Sequence, residues 1–380
     1  MKIVTIVGAR PQLIKASAVS RAIRAFNAAH PGAGLEEVLV HTGQHFDHCM
    51  SDIFIREMDI PIPQYNLGIR EKGHGAMTGT MLRELERVLE RQAPDLVLVY
   101  GDTNSTLAGA LAAVKLHLPV AHVEAGLRSR NRRMPEEINR VMADHVSSLL
   151  FCPTRLAVDN LLAEGMGRED AGEGTLFDKA PRVLLVGDVM FDTVLHFAAA
   201  SQGRAEELLR ALPRGGAGGY ALCTVHRAEN TDHPRVLADI FAALEEISRS
   251  LPVILPLHPR TRERMAAQGL HPSTPGLYIT EPVGYLELLD LLRGASLVLT
   301  DSGGLQKEAF FLARPCVTLR GETEWTETVQ AGWNRVAGGE RGAILVAALS
   351  GGWPQGAPPT VFGDGRAAER IVEEMVAALA

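Results

Sequence analysis

The chain predicts an α/β fold made of two Rossmann-like, doubly wound domains facing a central cleft. Three observations carry this reading. Short apolar runs alternate with longer segments of helical period through both halves. Polar clusters recur directly after those runs, at the strand ends where such sheets bind ligands. The length, 380 residues, is too great for one core and suits two. The domains read as 1–168 and 182–363, with a last segment, 364–380, returning to the first. Gly165 to Ala180, rich in glycine and charge, reads as the linker.

The first strand is Lys2 to Val7, apolar enough to be buried on both faces. Gly8-Ala9-Arg10-Pro11-Gln12 follows, and Pro11 suits the first turn of a helix running to about Asn27. Arg10 and Lys15 thus sit at a helix N-terminus, where cations oppose the dipole. An anionic ligand explains both, although Lys15 alone reads equally as a solvated charge. Glu37 to Thr42 is the next strand, ending in Gly43-Gln44-His45. His45 and His48 near Asp47 lack a third ligand at a usual spacing, so no metal is expected. Gly73 to Gln92 is an amphipathic helix. The strand Asp95 to Tyr100 opens into GDTNST, and Asp102 there is a candidate proton-transfer group or a helix cap. A helix to about His117 precedes the strand Pro119 to Val123, which ends at Glu124. A basic loop, Arg128 to Arg133, leads into PEEINR, whose Glu136 and Glu137 are functional or simply favourable first-turn acids. Leu149 to Cys152 is a strand, with a helix from about Thr154.

The second half repeats the pattern. Its strands are Arg182 to Val186, Tyr220 to Val225, Pro252 to Pro256, Leu277 to Thr280, Leu297 to Thr300 and Cys316 to Leu319. Helices lie between them, notably Pro234 to Arg249. Gly215 to Gly219 reads as a surface connection, and Gly351 to Gly365 as a connector to a final helix, Arg366 to Leu379. His226 and Arg227, then His258 and Arg260, follow strand ends. So does the Asp-Ser-Gly-Gly turn at 301–304. Ser302 caps a helix there, and Gly303 and Gly304 let a ligand approach the free N–H groups. A helix N-terminus of this kind suits a phosphate. Glu308, further along, can accept from sugar hydroxyls. A bare glycine turn is the plainer alternative.

The net charge of −7 argues against a nucleic-acid partner held by a broad basic surface. The four cysteines, Cys49, Cys152, Cys223 and Cys316, are scattered, so neither disulfides nor zinc is expected. No run approaches the roughly 20 apolar residues of a membrane span, and the N-terminal apolar run is too short for a signal peptide. A cytoplasmic setting follows. Walker A, GxGxxG and G-x-S-x-G are absent from the sequence. The abundance of anion holders with carboxylates suits a nucleoside diphosphate as handle or leaving group, with acid/base chemistry beside it.

Seven motifs in order complete the reading: GARPQLIK (8–15), TGQH (42–45), GDTNST (101–106), HVEAGLR (122–128), PEEINR (135–140), VHRAEN (225–230) and TDSGGLQKE (300–308). Together they resemble the non-hydrolysing UDP-N-acetylglucosamine 2-epimerase family over nearly the whole chain. The resemblance implies the GT-B type of fold, a homodimer, no cofactor, and interconversion of UDP-GlcNAc and UDP-ManNAc for cell-surface polysaccharide. It implies elimination of UDP to a 2-acetamidoglucal and re-addition. Asp102, Glu124 and Glu136 then become the proton-transfer candidates and His226 the active-site histidine. Arg10, Lys15 and Arg140 would contact substrate, Ser302, Gly303 and Gly304 the diphosphate, Glu308 the ribose, and Val283 and Leu288 the uracil. Two departures stand out. SRNRRM and ETEWTETVQAGWNRVAG resemble the branch acting on UDP-2,3-diacetamido-glucuronate, whose C6 carboxylate the basic loop Arg128 to Arg133 would meet. TGQHFDH lacks the second glutamine of a QxxQ pattern, which argues against allosteric UDP-GlcNAc. A GT-B glycosyltransferase is the further alternative.

Overall fold

The computed structural model describes residues 1–32, 34–43, 57–167, 175–210 and 219–379. Two compact units emerge, Met1–Thr193 with Thr360–Ala380, and Val194–Pro359. Each is a wholly parallel sheet with interleaved helices.

The first unit holds β1 (Lys2–Val7), β2 (Glu36–His41), β3 (Tyr65–Asn66), β4 (Leu96–Tyr100), β5 (Val120–Val123), β6 (Leu149–Cys152) and β7 (Arg182–Leu185). Their spatial order is β3-β2-β1-β4-β5-β6-β7. The central strands are largely apolar because helices cover both faces. Val4, Ile6, Val97 and Val99 pack with Met81, Leu85 and Leu89 of the His74–Gln92 helix. The chain reverses its strand order between β1 and β4, which is where a doubly wound sheet opens a crevice.

The second unit holds β8 (Ala221–Thr224), β9 (Val253–Pro256), β10 (Leu277–Thr280), β11 (Leu297–Thr300), β12 (Cys316–Thr318) and β13 (Asn334–Val336), ordered β10-β9-β8-β11-β12-β13. Its core joins Leu255, Leu299 and Val317 to Leu237, Phe241 and Leu244 of the Pro234–Ile247 helix. The reversal here lies between β8 and β11.

Two differences from the sequence reading have physical causes. The Arg182 strand, expected in the second domain, pairs parallel with β6 as the edge of the first sheet. Arg182 N–H donates to Ser148 O and Val186 N–H to Cys152 O. An apolar run states that a strand exists, not which sheet it joins. The division between units therefore falls at Thr193, inside the Val189–Ala198 helix, rather than in Gly165 to Ala180. The Ala367–Leu379 helix packs on the Arg10–Ala29 helix of the first unit. Strands β3 and β13 are two and three residues long, too short to show a period. Gln44, His45, Asp47, His48, Cys49 and most of Gly215 to Gly219 lie outside the described residues.

Candidate active site

In the first unit the candidate residues gather at the carboxyl ends of β1, β4 and β5. Pro11 opens the Arg10–Ala29 helix. Arg10 is exposed at its start, while Lys15 is buried one turn on. The Lys15 ammonium contacts Glu124 Oε2, and both side chains are only 8% exposed. Lys15 is therefore no solvated surface charge. Glu124 holds φ at 72°, a left-handed backbone that non-glycine residues seldom take and that concentrates at functional sites. Gly101, at φ 59°, lies against this pair. A Cβ there would stand 3.1 Å from Lys15 Nζ and 3.2 Å from Glu124 Oε2. Glycine is required at 101 both by its backbone and by this approach.

Asp102 follows, its side chain 29% exposed and paired with Arg140. Arg140 is 2% exposed and also donates to Glu137 Oε2 at 3.0 Å. Arg140, expected to touch substrate, pairs with two carboxylates, Asp102 and Glu137. Glu137 is 3% exposed and accepts from Ser129 N (2.9 Å), Ser129 Oγ (3.0 Å) and Arg130 N (2.7 Å). It fixes the basic loop. Glu136, its neighbour, is half-buried in the first turn of the Pro135–Val146 helix. The two acids that composition could not separate differ in burial and partners.

Several members of this cluster went unassigned in the sequence. Gln12 accepts from Gly8 N and Ala9 N at 2.8 and 3.1 Å and donates to Tyr100 O at 2.8 Å, tying the β1 loop to the end of β4. Asn139 donates to Asp102 O at 2.9 Å. His122, Arg128 and Asp144 form a buried group beneath. Gln12, His122 and Asn139 sit inside recognisable motifs, which was the available signal. Asp144, in the last turn of the Pro135–Val146 helix, had none. The Arg128 guanidinium, expected to meet a substrate carboxylate, is held by Asp144 (2.6 Å) and Glu164 (2.7 Å). Arg130, Arg132 and Arg133 of the same loop are exposed.

In the second unit the centre is Asp301, fully buried at the end of β11. Its carboxylate accepts from His226 N (2.9 Å), Arg227 N (2.9 Å) and Asn230 Nδ2 (3.0 Å). It thereby fastens the loop after β8 to the turn after β11. His226 Nδ1 stands 3.2 Å from Asp301 Oδ1, and its side chain is 35% exposed. Desolvation lowers the His226 pKa from its usual value; Asp301 opposes this, while Arg227 and Arg260 add to it. A neutral ring donating from Nδ1 to Asp301 presents Nε2 as an acceptor.

Ser302 caps the Gly303–Phe311 helix, its Oγ accepting from Leu305 N at 3.4 Å. A Cβ on Gly303 would meet Glu324 Oε1 at 3.3 Å and Trp325 Nε1 at 3.4 Å, so the turn is close-packed as well as bare. Gly304 is half-buried and Glu308 buried on the same helix. Arg320, 2% exposed, bonds Glu229 and Glu324 at 2.7 and 2.9 Å. Val283 and Leu288, both half-buried, flank the start of the Tyr285–Gly294 helix after β10. Arg260, which follows the end of β9, donates to Thr231 Oγ1 (3.0 Å) and Asp232 Oδ2 (2.6 Å). Among the described residues, Cys152, Cys223 and Cys316 are buried free thiols, and burial pushes Cys316 up to about 12. No described helix is long and apolar enough to cross a membrane.

Comparison with known proteins gives these clusters a context. The profile of the UDP-N-acetylglucosamine 2-epimerase family matches residues 27–376. The UDP-2,3-diacetamido-2,3-dideoxy-D-glucuronate 2-epimerase of Pseudomonas aeruginosa is 51% identical over 98% of this chain and 99% of its own length. The UDP-N-acetylglucosamine 2-epimerase of Methanocaldococcus jannaschii is 41% identical over 98% of each chain. The crystal structure of the M. jannaschii enzyme with UDP-GlcNAc and UDP superposes with a TM-score of 0.86, covering 99% of this chain and 100% of that one. The Neisseria meningitidis enzyme bound to UDP-GlcNAc gives 0.83 at 28% identity, with the same coverage. The two Rossmann-like units are thus of the GT-B type, and the chain belongs to the UDP-N-acetylglucosamine 2-epimerase family of isomerases.

Proposed function

We propose that the protein inverts C2 of a UDP-linked 2-acetamido sugar, interconverting UDP-GlcNAc and UDP-ManNAc. The observation that carries this is the pair of carboxylates at neighbouring strand ends, Asp102 beside Arg140 and Glu124 beside Lys15. Inversion at carbon needs proton-transfer groups on two sides of the sugar, and one carboxylate cannot serve both. Glu136 is the third candidate.

The C2 proton is weakly acidic, so its removal is driven by departure of UDP from C1. The bond to the diphosphate breaks as the C2–H bond breaks, giving the 2-acetamidoglucal. UDP then adds back at C1 while a proton reaches the opposite face of C2. Charge builds on the leaving diphosphate, and the Ser302 hydroxyl with the N–H groups of Gly303 and Gly304 are the donors assigned to it, the Ser302 N–H being engaged by Thr300 Oγ1 at 2.9 Å. His226 and Arg10 assist there, Glu308 takes the ribose, and Val283 and Leu288 flank the uracil. Lys15 and Arg140 act through Glu124 and Asp102, orienting them by ion pairs. No cofactor enters this scheme. We further propose a cytoplasmic homodimer supplying cell-surface polysaccharide.

A second reading has its own support. The 51% identity to the P. aeruginosa enzyme and the exposed Arg130, Arg132 and Arg133 favour a UDP-2,3-diacetamido-glucuronate, whose C6 carboxylate those arginines would face.

Incubation of each UDP-sugar in D₂O, without any acceptor, tests both. Deuterium at C2 with conversion of UDP-GlcNAc supports the first substrate, and exchange confined to the diacetamido-glucuronate supports the second. A glycosyltransferase would exchange neither. Asp102→Asn and Glu124→Gln should each lower exchange by about 100-fold or more while UDP binding persists. Unchanged exchange removes that residue from the proton-transfer set.

A further inference from the structure

We infer that His122 is a positioning residue for the proton-transfer carboxylates, acting through a buried relay that holds the Gly101–Asp102 peptide. The inference rests on the reading of Asp102 and Glu124 given above. His122 lies in β5, two residues before Glu124, with no exposed surface. Its Nε2 is 2.7 Å from the Gly101 carbonyl oxygen, and its Nδ1 is 2.7 Å from Asp144 Oδ1. The second Asp144 oxygen accepts from Arg128 Nη1 at 2.6 Å and from Gly126 N at 3.2 Å. Arg128 in turn grips Glu164 with Nε and Nη2, at 2.7 and 2.8 Å.

The hydrogens in this chain are determined by its ends. A peptide carbonyl has lone pairs only. Burial raises the Asp144 carboxyl, but His122 and Arg128 outweigh it and hold the group below its ordinary value. With Arg128 Nη1 and Gly126 N donating to the other Asp144 oxygen and a carbonyl on the far side, the geometry has both ring nitrogens donating. A ring serving only to fill a core would not need charged groups beside it, since buried ions are costly to desolvate. Here the donated hydrogen bond reaches a specific place. Gly101 lies against the Lys15–Glu124 pair, and its carbonyl belongs to the peptide that begins Asp102. Rotation of that peptide moves Asp102 directly and alters how Gly101 sits against the Lys15–Glu124 pair.

The test uses the full-length protein and three measurements: C2 deuterium exchange with UDP-GlcNAc or its diacetamido-glucuronate counterpart, KM for that sugar, and UDP affinity. His122→Gln and the isosteric Asp144→Asn should each slow exchange by about 10- to 100-fold, the scale set by small misplacement of catalytic groups. KM and UDP affinity should stay within about threefold, because the interactions removed lie outside the groups assigned to nucleotide binding. Exchange at the wild-type rate in both variants overturns the proposal. So does a proportional loss of exchange and UDP affinity, which marks a general structural role. Nitrogen-15 NMR of the unaltered protein gives a readout free of mutation: two ring N–H protons on His122 support the relay, and one overturns it. Absence of exchange in the wild type with either sugar would instead defeat the functional reading on which the relay depends.

Discussion

At the scale of single residues, partners separate neighbouring acids. Glu137 is buried and accepts four hydrogen bonds, whereas Glu136 is half-buried in the same helical turn. Arg140→Met should cost about 3 kcal/mol in urea unfolding, because it strips the cation from buried Glu137 as well as from Asp102. Glu136→Gln should shift unfolding by no more than about 0.5 kcal/mol, and register in turnover instead. Equal stability losses in the two variants would contradict this division. Ser302→Ala should weaken UDP binding, and its lost cap should cost about 1 kcal/mol; unaltered titration by UDP would count against the phosphate role. These distinctions were only partly legible in the sequence. Motifs displayed Asp102, Glu124 and Arg140 as members of a site. That Arg140 faces Asp102 and Lys15 faces Glu124 follows from β1, β4 and β5 becoming neighbours, which no local pattern encodes. Asp144, lacking any motif, was invisible for the same reason.

At the scale of elements, the Val189–Ala198 helix links the closing helix to the first unit. Asp192 Oδ2 accepts from Ala368 N at 2.7 Å, at the start of the Ala367–Leu379 helix. Burial pushes the Asp192 pKa up to about 6 from an ordinary 3.8, although the Ala367 and Ala368 amides pull it down. The folded state therefore binds the proton more tightly than the unfolded chain. Stability from this group is greatest below an ordinary carboxylate's range, falls as pH rises through about 4 to 6, and is flat beyond. The loss is on the order of 3 kcal/mol. Asp192→Asn should gain stability relative to wild type at about pH 8 more than at about pH 5. Thermal melts at both values check this, and a difference independent of pH would refute it. Helices and most strands were readable as apolar periods. The membership of Arg182–Leu185 in the first sheet was not, because an edge strand carries no label naming its neighbour.

At the scale of the whole molecule, the proposed function divides its residues between the two units. The assigned nucleotide contacts lie largely in the second and the assigned proton-transfer carboxylates in the first. UDP at a hundredfold its Kd should add about 2.7 kcal/mol to the unfolding of the unit that holds it. Calorimetry should then show UDP raising the transition of the second unit, and a UDP-sugar raising both. A UDP effect confined to the first unit would reverse the assignment.

Each sheet places its fourth strand in sequence beside its first across the reversal, if β8 is counted as the first of the second unit. The loop after β4 presents Asp102 and the loop after β11 presents the Ser302 turn. Topologically these are the same address, carrying a carboxylate in one half and the turn proposed to hold the diphosphate in the other. The architecture is thus a duplicated chassis with interchangeable fittings. Replacing the second half with that of a relative reading a different base should change the accepted nucleotide while leaving the stereochemical outcome at C2 intact.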